Sequence, residues 1–194
     1  MLDVLGDDMR IIAGIKRGKK LNTLAGERVR PTTDRVKESL FNILQFQLEG
    51  RVFLDLFAGS GQIGLEALSR GGTEAVFVES SPAVERVLRQ NIKNLGFDSK
   101  SKVFLGDCLK FLKNTTQMFD IIYIDPPFGE NLYESALQAA GNRVKASGLI
   151  ICEHLSKELL PDQIDQLCQV LRRYRYGTVS LTVYQPIAAD VAPE

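Results

Sequence analysis

The 194-residue chain carries 24 Lys and Arg against 24 Asp and Glu, with 44% hydrophobic and 25% charged residues. Those proportions fit one globular domain and exclude a disordered chain, a collagen-like repeat and a disulfide scaffold. No apolar run approaches the ~20 residues that cross a bilayer, and Asp3, Asp7 and Asp8 stand where a secretory leader would be basic and then apolar, so the expectation is a cytoplasmic protein with no membrane partner.

A chain of this length buries roughly 70% of its unfolded surface, enough for a core without metals or cross-links. Cys108, Cys152 and Cys168 are odd in number, lie among apolar residues and lack C-x-x-C spacing. They read as buried reduced thiols, with no metal site.

Residues 1–9 read as a tail or upstream extension, with Met9 an alternative start. Residues 10–50 form a basic extension. Between Arg10 and Leu40 nine basic residues face three acidic ones, a net +6, so the rest of the chain carries −6. Such a segment suits contact with a polyanion, because Lys and Arg on phosphates release counterions; the plain alternative is a solvated surface. Arg10–Ile15 and Leu21–Leu24 suggest a short hairpin around a Gly/Lys-rich turn. Thr32 or Thr33 then caps a helix from Asp34 to Phe46, with Val36, Leu40, Ile43 and Leu44 at helical spacing and Gly50 as its stop.

From residue 51 to 185 strands alternate with helices, and 186–194 is a tail. Strands are predicted at Val52–Phe57, Ala75–Glu79, Lys102–Leu105, Ile121–Asp125, Gly148–Glu153, Tyr174–Gly177 and Thr178–Gln185. Helices are predicted at Gly61–Arg70, Pro82–Leu95, Cys108–Lys113, Leu132–Val144 and Asp162–Leu171. This alternation implies an α/β, Rossmann-like fold: a seven-stranded, mostly parallel sheet with one antiparallel strand and helices on both faces. Ligands in such sheets bind beyond the carboxyl ends of the strands, where the strand order reverses.

The first strand runs into Asp55-Leu-Phe57-Ala-Gly59-Ser-Gly61-Gln-Ile-Gly64, a G-x-G-x-x-G match between a strand and a helix, and Glu79 ends the second strand where a ribose-binding acid is expected. An adenosine-type ligand follows. Asp55 argues against a dinucleotide, since a carboxylate beside the turn repels pyrophosphate and attracts an ammonium group. S-adenosylmethionine has that cationic end and no phosphate. The competing reading is a tight turn in which Asp55 merely caps the helix; it leaves Glu79 unused. Asp107, ending the third strand, is a candidate acceptor for the adenine amino group, an N-cap for the next helix, or both.

The fourth strand ends in Asp125-Pro126-Pro127-Phe128. Two prolines fix φ and remove two N–H groups, so the loop offers a carboxylate and carbonyls with few competing donors. That suits a substrate NH₂ whose hydrogens go to Asp125 and the Pro126 carbonyl while Phe128 stacks on a base. Holding those hydrogens favours the geometry in which the nitrogen lone pair attacks a sulfonium methyl. No metal is required.

These motifs resemble those of class I S-adenosylmethionine-dependent methyltransferases acting on exocyclic amines. Together with Arg10-Ile-Ile-Ala-Gly, Arg17-Gly and Arg30-Pro-Thr-Thr-Asp-Arg-Val-Lys-Glu-Ser-Leu-Phe-Asn-Ile-Leu, they resemble the RsmD family of bacterial 16S ribosomal RNA guanine-N2 methyltransferases, from about Arg10 to Gln185. The resemblance implies methylation of guanine 966 in the usual 16S numbering, on a small-subunit particle, by a monomer that releases S-adenosylhomocysteine. Cofactor positions would fall on Asp55, Phe57, Gly59, Gly61, Glu79 and Asp107, catalysis on Asp125 through Phe128, and RNA contacts on Arg10, Arg17, Lys19, Lys20, Arg30 and Arg35. One departure is Ser80-Ser81 after Glu79, where an aspartate or asparagine is expected.

His154 next to Glu153 looks like an acid–base pair, but adjacent strand residues face opposite ways, so the expectation is a structural histidine. Tyr123 reads as a core residue with a satisfied hydroxyl. Arg172, Arg173 and Arg175 read as a solvated face. The alternatives in function are a DNA adenine or cytosine amino-methyltransferase, for which 194 residues show no separate target-recognition domain, and a non-catalytic RNA-binding assembly factor.

Overall fold

Short apolar runs separated by amphipathic helices build the parallel half of an eight-stranded sheet. In chain order the elements are α1 (Asp34–Ile43), β1 (Val52–Asp55), α2 (Gln62–Ser69), β2 (Glu74–Glu79), α3 (Pro82–Leu95), a 3-10 turn (Asp98–Lys100), β3 (Ser101–Leu105), α4 (Cys108–Asn114), β4 (Phe119–Ile124), α5 (Tyr133–Gly141), β5 (Val144–Leu155), β6 (Gln163–Ile164), β7 (Cys168–Tyr176) and β8 (Val179–Pro186). This computed structural model describes residues 9–24, 34–127 and 132–187.

The strand order is β3-β2-β1-β4-β5-β8-β7-β6. The first five strands pair in parallel, and β8, β7 and β6 continue antiparallel. Strand alternation sorts the apolar residues onto two layers. Phe53, Phe77, Ile121, Tyr123 and Ile151 meet α1, α2 and α3 on one face. Leu54, Val76, Ile122 and Ile150 meet α4 and α5 on the other. β4, covered on both faces, is buried at all six positions, as a central parallel strand should be.

The expected architecture holds, with corrections at both ends. The helix expected at Asp162–Leu171 is absent: β6 and the start of β7 occupy it, giving eight strands rather than seven, of which two, β8 and the short β6, run against the rest rather than one. Ile164, Leu167, Cys168 and Leu171 do recur at helical spacing. The open edge of β8 wins, because pairing satisfies a row of backbone groups along β7. Asp165, at φ 44°, makes the turn, and aspartate tolerates that region better than most residues. The expected N-terminal hairpin is present in short form: an antiparallel bridge, Arg10 to Lys20, is flanked by Ile11 N–H to Lys19 O, Gly18 N–H to Ile11 O and Leu21 N–H to Met9 O. α1 ends at Ile43, short of Phe46 and Gly50; Thr32 and Thr33 lie outside the described residues.

Candidate active site

β1 lies between β2 and β4, so the strand order reverses beside it. Parallel pairing brings the carboxyl ends of β1 to β4 to one edge, and with them Asp55, Glu79, Asp107 and Asp125. This is the edge where ligands bind in doubly wound sheets.

The turn after β1 is built by carboxylates. Gly64 N–H donates to Asp55 Oδ2 at 2.9 Å, so Asp55 does cap α2. Glu79 is employed as well: its two oxygens accept Gly59 N–H at 2.9 Å and Ser81 N–H at 2.7 Å. Each carboxylate oxygen has two lone pairs, so these bonds leave acceptor capacity for ligand hydroxyls. Gly59 stands at φ +53° with open space where a Cβ would be, leaving its outer side free for a ligand. At Gly64 a Cβ would fall 2.3 Å from Phe77 Cε1, which makes the helix–sheet approach dependent on glycine. Phe57 is half-buried and packs on the α4–α5 layer.

Asp107 caps α4, its Oδ1 accepting Lys110 N–H at 2.8 Å, while the residue stays exposed at the site edge. Ser81 explains the departure after β2, since its hydroxyl caps α3 by accepting Val84 N–H at 3.4 Å. It supplies the capping oxygen that an aspartate or asparagine would.

Asp125 follows the buried β4, with Pro126 buried and Pro127 exposed; Phe128 lies outside the described residues. Beside it stands Glu153, which sequence reasoning had set aside. Ile124 pairs with Cys152, so the next residues along each strand, Asp125 and Glu153, are neighbours on the opposite face. The only sequence signal was the acid's place at a strand end; its neighbour depended on strand order. Tyr123 donates its hydroxyl proton to Glu153 Oε2 at 2.6 Å, as expected of a satisfied core tyrosine, and Tyr133 donates to the Glu153 carbonyl at 3.1 Å. His154 instead bonds Leu155 O and Thr182 Oγ1 at 2.9 and 2.8 Å, confirming that it does not partner Glu153. Burial holds the imidazole below its ordinary pKa.

Electrostatically the edge is crowded with acids. Burial, opposed by the Gly64 hydrogen bond and reinforced by Glu79, pushes Asp55 up to about 7. Burial, Glu153 and Asp55 together raise Asp125 well above the carboxylate range. A cationic ligand would favour the ionised form of both; a pyrophosphate would not. These residues therefore fit S-adenosylmethionine: open glycine backbone, carboxylates for hydroxyls, and negative charge for an ammonium and a sulfonium.

The basic segment lies along α2. Glu66, fully buried, accepts Ile12 N–H at 2.8 Å, Ala13 N–H at 2.9 Å and the Arg70 guanidinium at 2.8 Å. Ile15 and Lys16 N–H donate to Ser69 O and Oγ, so the turn through Gly14–Gly18 sits at the C-terminal end of α2. Arg17 is exposed in that turn, and Lys19 and Lys20 are exposed on the limb that returns opposite Ile11 and Arg10 toward Met9. Arg10 pairs with Asp34 at 3.4 Å, Arg35 is exposed, and Arg30 lies outside the described residues. Arg172, Arg173 and Arg175 are exposed on β7, where Arg173 pairs with Asp162 at 2.6 Å. All three cysteines are buried and outside any disulfide. Among the described residues no cluster could hold a metal, and no helix is long and apolar enough to cross a membrane.

Comparison with known proteins agrees with this geometry. The model of a family described as conserved hypothetical protein 95 matches residues 9–185. The ribosomal RNA small subunit methyltransferase D of Haemophilus influenzae is 38% identical over 183 residues, covering 92% of this chain and 94% of that protein. The protein of the same name from Escherichia coli K12 is 40% identical over 129 residues, 66% of this chain and 65% of its own. The solved structure of yhhF from Escherichia coli, 32% identical, superposes with a TM-score of 0.83 over 93% of this chain and 98% of its own. A Salinibacter ruber RNA methyltransferase in complex with S-adenosyl-L-homocysteine shares the fold at a TM-score of 0.65 and 13% identity, over 84% of this chain and 97% of its own. With strands, glycine turn and acid-Pro-Pro end in the expected places, the chain belongs to the conserved hypothetical protein 95 family, the RsmD family of methyltransferases.

Proposed function

We propose that this chain transfers the methyl group of S-adenosylmethionine to the exocyclic N2 amine of a guanine in small-subunit ribosomal RNA. By the resemblance this is guanine 966 in the usual 16S numbering, methylated in the cytoplasm by a monomer acting on an assembled or assembling 30S particle. The observation that carries the reading is the placement of Asp125-Pro126-Pro127 beside the strand-order reversal, one strand from a glycine turn ringed by Asp55 and Glu79.

Each residue then has a distinct duty. Glu79 retains acceptor capacity for ribose hydroxyls, and Asp107 Oδ2 is the acceptor for an adenine amino group. Asp55 is only 2% exposed, so its charge acts on a cation through the field rather than across an open contact. When bound, S-adenosylmethionine supplies an electrophilic methyl on a cationic sulfur. Asp125 and the Pro126 carbonyl accept the two amine hydrogens, aligning the nitrogen lone pair with that methyl. As the N–C bond forms and the S–C bond breaks, one amine proton passes to the Asp125 carboxylate, whose surroundings of burial, Glu153 and Asp55 favour protonation. Asp125 works as a carboxylate before transfer and as an acid after it.

The test is transfer of labelled methyl to unmodified small subunits, protein-free 16S RNA and duplex DNA in parallel, with the product nucleoside identified by mass spectrometry. N2-methylguanosine at one rRNA site is the expected result, and Asp125→Ala should abolish it while RNA affinity changes less than about twofold. Amino-methylated DNA bases would move the chain to the DNA reading. Cofactor binding without transfer to any substrate, or normal turnover by Asp125→Ala, would remove the catalytic assignment.

A further inference from the structure

The basic segment and the glycine turn are joined by one side chain. Asn91 on α3 is 1% exposed. Its Oδ1 accepts Asn22 N–H at 2.8 Å, and its Nδ2 donates to Asn22 O at 2.9 Å and to Ser60 O at 2.9 Å. The amide therefore treats Asn22 as a neighbouring strand would, occupying both backbone groups, and spends its last donor on the residue between Gly59 and Gly61. A second contact runs in parallel: Ser60 Oγ donates to Met9 Sδ at 3.1 Å, and Met9 O accepts Leu21 N–H at 2.8 Å. Both limbs of the basic segment thus meet at Ser60.

We propose that Asn91 is a positioning residue that locks the glycine turn to the basic N-terminal segment, so that filling the cofactor turn and engaging a polyanion on that segment are energetically linked. The inference rests on the proposed reading of the Gly59–Gly61 turn as the cofactor's seat. Its physical content is a shared equilibrium. Asn91 satisfies all three of its bonds only when Ser60 and Asn22 are both in place, so ordering one side lowers the cost of ordering the other. By linkage the effect is reciprocal: the cofactor product tightens RNA binding by the factor by which RNA tightens the product. A buried amide left with one partner loses more than a bond, because unmet donors in the interior are costly. Lost contact on one side is thereby transmitted to the other.

The experiment uses the full-length chain with S-adenosylhomocysteine, which binds without turnover, and unmodified protein-free 16S RNA. Product affinity is measured with and without saturating RNA for wild type, Asn91→Leu and Asn91→Asp. Hydrogen exchange is followed at the Asn22 amide as product is added. In wild type, RNA should tighten the product about tenfold, within the usual range of coupling between sites, and product should slow Asn22 exchange by a similar factor. Asn91→Leu, which removes all three bonds, should bring both effects to within about twofold of unity. Asn91→Asp keeps the acceptor for Asn22 N–H but loses Nδ2 and with it the bonds to Asn22 O and Ser60 O, and should uncouple the sites in a side chain of the same size and shape. This keeps the test decisive where the leucine variant fails to fold. Full coupling retained in Asn91→Asp, or no coupling in a wild type that binds both ligands, would overturn the inference. Failure of wild type to bind S-adenosylhomocysteine at all would overturn the cofactor reading instead.

Discussion

Asp55 is the sharpest test of the electrostatics of this site. Its carboxyl is raised from 3.8 to about 7, chiefly by burial, with Glu79 adding repulsion against the Gly64 hydrogen bond. The folded state therefore holds a proton that the unfolded chain has already released between those two values. The unfolded state binds fewer protons there, so stability falls as pH rises through the window and levels off above the folded value. At 1.36 kcal/mol per pH unit the full loss is about 4 kcal/mol, with about 2.5 kcal/mol of it falling between pH 5 and pH 8. Asp55→Asn keeps an oxygen for Gly64 N–H and removes the charge. The stability of that variant relative to wild type should thus rise by about 2.5 kcal/mol from pH 5 to pH 8, seen as a melting temperature gain of roughly 5–10 °C for a chain of this size. The assay is thermal unfolding of both proteins without cofactor across that pH range. S-adenosylmethionine should oppose the trend, stabilising wild type more at pH 8 than at pH 5 and the variant equally at both. A difference between the two proteins that did not change with pH would refute the argument that an ionised Asp55 is held at a cost.

Three other perturbations follow from the same geometry. Gly64→Ala places a methyl 2.3 Å from Phe77 Cε1, and the overpacking should cost about 1–3 kcal/mol in denaturant unfolding. Glu66→Ala strands two amide donors of the basic segment and the Arg70 guanidinium. It should destabilise by about 2–4 kcal/mol and open Lys16–Lys20 to trypsin, both readable in one limited-proteolysis series. Lys19→Glu with Lys20→Glu should weaken RNA binding and reduce the slope of log affinity against log salt by about 1.5–2; an unchanged slope would remove that turn from the RNA surface.

The parallel core was legible because its signals are local and agree with one another. α3 begins and ends where expected, since Ser81 caps it, Pro82 opens it and Gly96 closes it at φ 67°. β4 announced itself by continuous apolar residues, and the turn after β1 by its glycines. The β6–β7 region was misread because Ile164, Leu167, Cys168 and Leu171 carry a helical period that is locally valid, while the deciding fact, an unpaired edge on β8, is not written in that segment. Glu153 was missed for a related reason. A strand-end acid gains meaning from its neighbour, and which strand lies beside β4 is a property of the whole sheet. Asp55 illustrates a third kind of gap: the two readings of it, cap and electrostatic partner, were posed as rivals. The Gly64 hydrogen bond establishes the first and leaves the second compatible with it, since one carboxylate can do both.

The division of charge seen in the sequence acquires a direction in the fold. The acidic residues Asp55, Glu79, Asp125 and Glu153 gather at the carboxyl edge of the sheet, where α2 begins, whereas the turn carrying Lys16 and exposed Arg17 sits where α2 ends, and exposed Lys19 and Lys20 lie on the limb that returns from it. The eight residues of α2 set the tip of that turn about 12 Å from the acidic edge. On the proposed function a nucleic acid reaching both places spans that distance, with its phosphates on the basic segment and a base directed toward the acids. Its phosphates are thereby kept from the carboxylates that would repel them. This arrangement favours a substrate whose target base projects from its backbone, as unpaired bases in folded RNA do, over one whose phosphates crowd the target. On the proposed function the basic segment and the acidic edge act on different parts of one substrate, so the Lys19 and Lys20 variants should change RNA affinity and its salt dependence while leaving the pH dependence of transfer, assigned to Asp125, where it was.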